Sequence, residues 1–365
     1  VHLDLTDGWT LRAQSGDVPT SLLGAELPAA VPGCVHLDLM AAGAIPDPYL
    51  DDNERELAWV GHVDWRYATT FEWDVTAHDG DVVELVAEGL DTFATVQLNG
   101  RELGRTANMH RTHRFDLAGT LRDGTNTLEV AFEAGVPATA RASQELGPLP
   151  HVNTHPFNAV RKMASNFGWD WGPDLVTAGI WRPIGIRSWR SARLDGVRPL
   201  VDLDGDDGVL TAHVDVVRQV GATPADLEVV VTVDGRSHRQ PLPGDGALDP
   251  VRVPQVRRWW PRGYGDQPLY DVSVVLCEEG TERDRWEGRV GFRTVGLDTE
   301  PDADGRPFQL SVNGTPLFVR GVNWIPDDCF PARITAERYA ERLGQATDAG
   351  VNLIRVWGGG IYESE

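Results

Sequence analysis

Short hydrophobic alternation, broken at intervals by Asn-Gly and Asp-Gly, limits this chain more than any other feature. Val96-Gln97-Leu98 runs into Asn99-Gly100 and continues as Arg101-Glu102-Leu103, the strongest two-residue hairpin signal a sequence carries. Val63 to Trp73, Val82 to Val86 and Leu128 to Phe132 alternate in the same way. Short strands with frequent Gly, Asp and Asn turns imply a sandwich or jelly roll rather than a helical or doubly wound domain. Pro137 to Gly147, Ala-rich at first, is the main helical or linker-like interruption.

Near Arg190-Ser191-Ala192 the pattern resets. Leu210 to Val217, Leu227 to Val233 with an Asp234-Gly235 turn, and Val272 to Leu276 make a second, smaller set of strands, as in an immunoglobulin-like sandwich. The aromatic run Trp259 to Gly265 leads straight into strand residues Leu269-Tyr270 and carries no acidic partner, so it is expected to be structural. After Gly305 the period changes again. Phe308 to Val312 meets Asn313-Gly314 as a hairpin that returns through Leu317-Phe318-Val319. Thr335 opens a helix with Tyr339, Leu343 and Ala346 on one face, and Gly350 suits its C′ position. Val351 to Val356 then reads as a parallel strand buried on both faces. Strand, helix, strand is the opening of a (β/α)8 barrel, which needs about 250 residues in all. The expected organisation is therefore mostly β: a jelly-roll sugar-binding-like domain over residues 1–190, an immunoglobulin-like sandwich over 191–296, and the start of a (β/α)8 barrel over 297–365. On this reading the polypeptide is the front part of a longer protein.

Composition narrows the partners. A formal charge of -22 argues against nucleic acid and anionic membrane, since phosphate binding needs a basic stripe. No apolar run approaches a membrane span, and Val1-His2-Leu3-Asp4 has neither a basic nor an apolar leader region. A cytoplasmic location is expected, though the lack of an initiator Met leaves a removed signal peptide open. Cys34, Cys277 and Cys329 are odd in number and fall in what look like three different domains, with no zinc spacing. Neither a disulfide framework, nor a metal, nor a cofactor is expected.

Two segments carry chemistry. In Phe167-Gly168-Trp169-Asp170-Trp171-Gly172-Pro173 two tryptophans bracket one carboxylate. Indole faces stack on the C–H face of a sugar ring, and a carboxylate accepts hydrogen bonds from adjacent sugar hydroxyls. Trp-rich turns are also packing corners. In an extended run Asp170 would face away from Trp169 and Trp171, so all three could touch one ligand only if the backbone bulged at its glycines. The second segment, Arg355-Val356-Trp357-Gly358-Gly359-Gly360, ends the second barrel strand. There Arg355 would be a charge inside the barrel needing a carboxylate, and Trp357 would sit at the C-terminal mouth. Either the two serve a ligand, or Arg355 pairs with a structural Asp and Trp357 caps the barrel. His151, His155, Arg161 and Lys162 precede the first run and are expected in a solvated, hydrogen-bonded loop, with no metal-ligand spacing.

Together with Pro32-Gly33-Cys34-Val35-His36, Pro46-Asp47-Pro48-Tyr49, Asp64-Trp65-Arg66-Tyr67, Trp259 to Tyr264 and Arg320 to Pro326, these segments resemble glycoside hydrolase family 2, most closely its β-mannosidases. The resemblance spans nearly the whole chain in the expected order. It implies a retaining exo-β-mannosidase that releases terminal mannose from β-mannosides. One glutamic acid would protonate the glycosidic oxygen and a second, about 5 Å away, would attack the anomeric carbon. Trp169, Asp170, Trp171 and Trp357 become substrate-binding residues, with Arg355, Glu363 and Lys162 in supporting positions behind them. Both catalytic glutamates would lie beyond Glu365, so the chain alone is expected to be inactive. Asn53-Glu54 mimics the family's acid/base pair, but it is expected in a polar loop and is rejected. Alternatives are a neighbouring family 2 specificity, exo-β-glucosaminidase or endo-β-mannosidase, and a non-catalytic carbohydrate-binding module.

Overall fold

A computed structural model describes residues 2–147, 149–220 and 226–363. They form two compact units: residues 2–188 with 324–339 and 356–363, and residues 189–323 with 340–355.

The first unit is a sandwich of two antiparallel sheets. Across the larger sheet the strands run Leu27–Pro28, Thr10–Ser15, Asp64–Trp73, Gly124–Phe132, Phe93–Leu98 and Arg101–Ala107. The register places Trp65 opposite Phe132, Tyr67 opposite Val130, and Val130 opposite Val96. Alternation turns these residues inward, and each is at most 2% exposed. Side chains of this size contribute roughly 1.5–3 kcal/mol each on burial. The smaller sheet, His2–Asp4, Ile184–Trp189, Val82–Ala87 and His113–Asp116, closes the core with Leu85, Ala87, Ile184 and Ile186. Asn99 and Gly100 both adopt positive φ (53° and 79°), the turn expected of that dipeptide. Gly135–Leu146 is a helix. Cys34 and Cys329 lie in this one core, not in separate domains, because the Cys329-Phe330 segment tucks into it. All three cysteines are free and buried.

The short helix Val35–Ala41 buries two titratable groups. Asp38 accepts the Tyr67 hydroxyl at 2.7 Å and the Ala30 amide at 2.9 Å, and burial raises its carboxyl to about 6. His36 is 1% exposed, stacks near Phe330 with ring centroids 5.6 Å apart, and leaves Nδ1 unbonded. Burial, then the Lys162 charge, lowers it to about 3. As pH falls from 6.5 towards 3, the unfolded chain takes up a proton that folded His36 refuses, a loss of roughly 5 kcal/mol. Asp38 acts oppositely. It is protonated first in the folded state, which restores roughly 3 kcal/mol as pH falls from about 6 to 3.8. His36→Leu is therefore expected to raise the Tm at pH 4 relative to wild type far more than at pH 7. Parallel shifts at both pH values would rule His36 out as a source of acid lability.

The second unit contains a seven-stranded sandwich. Ala192–Asp204, Asp207–Arg218 and Val251–Val253 form one sheet; Arg236–Pro241, Leu227–Val233, Tyr270–Glu278 and Thr281–Val290 form the other. Val229, Val231, Val233, Val272, Val274 and Phe292 fill its core. The Trp259–Gly265 segment is structural, with the Trp259 amide on Phe292 O at 2.9 Å and the Trp260 amide on Asp266 O at 2.9 Å.

At the start of the barrel, Gly321–Trp324 pairs with Leu353–Val356, and Ala336–Asp348 is the intervening helix. The Asn352 amide bonds Arg320 O and the Trp357 amide bonds Trp324 O, so the partners advance together in the parallel sense. Thr335 caps the helix through Oγ1 to the Arg338 amide (3.3 Å), and Gly350 has φ 76°. Three expectations fail. The return of the Asn313-Gly314 hairpin is Thr315–Pro316, carried one residue further by the Leu317 amide on Leu310 O at 2.8 Å, and it does not extend as strand through Phe318-Val319. The second barrel strand is shorter than expected and not enclosed on both faces: Ile354 is 36% exposed and Arg355 is also exposed. Arg355 donates to Asn323 Oδ1 at 3.3 Å rather than to a carboxylate, because two strands make no lumen to enclose it. Among the described residues, no helix is long and apolar enough to cross a membrane.

Candidate functional site

The Trp-Asp-Trp run is neither extended nor bulged. Phe167–Trp169 and Gly172–Asp174 pair as a tight antiparallel hairpin, with Phe167 opposite Asp174 and Trp169 opposite Gly172. Asp170 and Trp171 form its exposed tip. Gly168 is required twice over: its φ is 79°, and a Cβ there would lie 3.1 Å from Asp174 Cβ. A turn removes the alternation that would have separated the three side chains.

An isolated two-stranded hairpin is marginal in water, and side chains from distant segments clasp its base. Asn153 Nδ2 donates to the carbonyls of Phe167 (3.2 Å) and Gly168. His155 Nε2 bonds Asp174 Oδ2 at 2.9 Å, which raises the His155 pKa. The Asp174 amide donates to Glu54 Oε1 at 2.7 Å. Glu54 thus lies not in a polar loop but in the single helical turn Asn53–Glu56, and it ties down the hairpin. Glu54→Ala is expected to speed hydrogen exchange of the Asp174 amide by about tenfold, the loss of one charge-assisted bond. An unchanged exchange rate would show that the clasp is idle.

At the other end the hairpin meets the loop after the second barrel strand. Trp357 makes edge contacts with both Trp169 (5.0 Å between centroids, 64°) and Trp171 (5.3 Å, 84°), and Phe157 packs edge-on to Trp169 at 5.5 Å. The loop is anchored by the Ser165 amide on Gly359 O (3.1 Å) and by Ile361, which joins Met109, Met163 and Trp181 in a small apolar cluster. Two hollows flank Trp169. One, about 510 Å³, is bordered by Asp170, Glu54, Asn153 and Asp174; the other, about 530 Å³, by Trp357, Phe157, Asn158, Arg161 and His110.

Behind the site, Lys162 departs from its expected place. It is not in a solvated loop but buried, with Nζ 2.6 and 2.5 Å from the Asp91 oxygens and 3.0 and 2.9 Å from Thr177 O and Oγ1. The Thr177 hydroxyl has two acceptors within reach, Asp91 Oδ2 (2.6 Å) and Asn166 Oδ1 (3.0 Å), and Asn166 Nδ2 donates to Cys329 O at 3.3 Å. Burial pulls the Lys162 pKa down and Asp91 pulls it back up. His151, by contrast, is exposed, and its ring Nδ1 bonds Asn153 O at 2.7 Å. Glu363 Oε1 accepts from Trp324 Nε1 at 2.8 Å, and its charge helps burial raise the nearby Tyr339 to about 12. Glu365 lies outside the described residues. Among the described residues no group of three His, Cys, Asp or Glu is arranged to hold a metal.

Residues 9–182 match the glycosyl hydrolase 2 galactose-binding domain-like family, and residues 193–293 match glycosyl hydrolases family 2. The chain belongs to glycoside hydrolase family 2. This family 2 chain is 34% identical to β-mannosidase B of Emericella nidulans over 99% of its own length and 43% of that protein. It is 32% identical to the β-mannosidase of Capra hircus, covering 100% of itself and 43% of the relative. It thus spans less than half the length of these relatives. Among solved structures, the β-D-mannosidase of Dictyoglomus thermophilum superposes with a TM-score of 0.90 at 35% identity, over 100% of this chain and 45% of that one. The exo-chitosanase of Amycolatopsis orientalis shares the fold, with a TM-score of 0.73 at 23% identity.

Proposed function

We propose that these 365 residues serve a retaining exo-β-mannosidase, organised as domains 1–190, 191–296 and 297–365, and that they hold the terminal mannose. The observation that carries this reading is the grouping of Trp169 and Trp171 around Trp357, with Asp170 exposed at the hairpin tip between them. Indole faces supply the apolar platform a pyranose ring needs, and the carboxylate accepts from its hydroxyls. Lys162, Glu363 and Arg355 support this arrangement without touching sugar. Catalysis would use two glutamic acids in double displacement, and neither role is assigned to a residue of this chain. Glu54 is occupied in the hairpin clasp. The 365 residues by themselves are expected to leave an aryl β-mannoside intact, since two strands and a helix do not make a barrel.

The full-length natural protein that carries this chain is expected to cleave an aryl β-mannoside with retention, and to cleave the matching β-glucosaminide far more slowly. Preference for the glucosaminide would replace the mannosidase reading with a neighbouring specificity. Sugar binding without turnover of either would favour a carbohydrate-binding module.

A further inference from the structure

The hollow on the Trp357 side of Trp169 has a character of its own. It measures about 530 Å³, within the range that takes a small ligand. Phe157, Trp169 and Trp357 supply aromatic wall, and Gly358 to Gly360 leave the backbone bare on one side. Asp170 is not among its lining residues, and no other carboxylate is.

The polar groups at its border are instead Asn158, His110 and Arg161. Asn158 spends its amide nitrogen on Pro150 O at 2.6 Å, which fixes the side chain. Arg161 holds the loop through its backbone carbonyl, which accepts the Met109 amide at 3.0 Å. Among the described residues no carboxylate pairs with its guanidinium. Lys162 at the floor is neutralised by Asp91. At His110 burial lowers the pKa most; Asp91 raises it, and Lys162, Arg182 and Arg161 lower it.

A carboxylate-free, aromatic-walled hollow with an unpaired guanidinium at its border suits a ligand with an anionic group. We infer that this hollow binds a sugar residue carrying an anionic group, its ring against Phe157 and Trp169 and its charge on Arg161. The inference rests on the sugar-holding reading of Trp169 and Trp357 and adds the class of group accepted beside them. A uronate carboxylate and a sugar phosphate share the chemistry; Arg presents paired donors to either.

The test is titration calorimetry of the full chain with glucuronate, mannose 6-phosphate and, as neutral control, mannose. At least one acidic sugar is expected to bind about tenfold or more tightly than mannose, and which one does so names the source of the anion. Arg161→Gln should abolish that preference, while Arg161→Lys keeps part of it. Arg161 is exposed, and among the described residues its side chain makes no hydrogen bond or ion pair, so neither variant should alter the melting profile. Equal binding of all three sugars would overturn the inference, as would an acidic preference that survives Arg161→Gln. Its failure is separable from failure of the mannosidase reading, which is decided by turnover of a neutral aryl mannoside.

Discussion

Replacing Lys162 with Met should lower the Tm of the first unit by on the order of 10 °C, the largest loss expected from any single change in this chain. The substitution preserves length and volume but strands the Asp91 carboxylate, which sits in a residue only 2% exposed. Breaking a buried ion pair from one side costs about 3–5 kcal/mol, because the remaining charge has neither water nor partner. Asp91→Leu should do comparable damage by stranding the ammonium. The double variant Lys162→Met, Asp91→Leu removes both charges and is expected to recover most of the loss, since apolar replacements of buried pairs are often neutral. Circular dichroism melts of the three variants decide the matter. A fall of only a degree or two in either single variant would mean that water or rearrangement replaces the lost partner. Thr177 and Asn166 tie the pair to the segment that enters the hairpin. Aromatic circular dichroism from Trp169 should therefore weaken in the single variants before the unit melts.

Asp170→Ala should leave stability unchanged and cut kcat/KM on a β-mannoside by at least about thirtyfold in the full-length protein. Asp170 is exposed at a turn, and its side chain makes no hydrogen bond among the described residues, so the fold loses nothing with it. A sugar would lose a charged acceptor for its hydroxyls. Asp170→Asn keeps the shape and one acceptor oxygen, and is expected to fall between wild type and Ala. If kcat/KM is unchanged in Asp170→Ala, the carboxylate is an ornament of the turn and the sugar contact lies elsewhere.

The strands were legible because alternation and turn chemistry act over neighbouring residues. Asn99-Gly100, Asp234-Gly235 and Asn313-Gly314 all form the turns their side chains favour, with positive φ at both positions. The jelly roll, the immunoglobulin-like sandwich and the opening of the barrel follow from that pattern together with the family resemblance. The hairpin at Trp169–Gly172 was missed because Asp170-Trp171 is no standard turn signal; its shape is set by clasps from Glu54, Asn153 and His155. Lys162 was misread for the same kind of reason. Its partner Asp91 is 71 residues away, and nothing local marks a lysine as buried. Arg355 was expected to be enclosed because strand alternation predicts a face, whereas enclosure depends on the strands that would surround it.

The hairpin that carries Asp170 has consequences for how such a chain can change over time. Its tip is two residues long, projects from a clasped base, and contributes neither Asp170 nor Trp171 to the packed interior. A mutation at the tip can therefore alter what is recognised without disturbing how the domain folds. A mutation at Glu54, Asn153 or His155 would instead alter how firmly any tip is presented. Choice of ligand and firmness of grip are thus written in separate stretches of sequence, and each can drift or be selected while the other stays fixed.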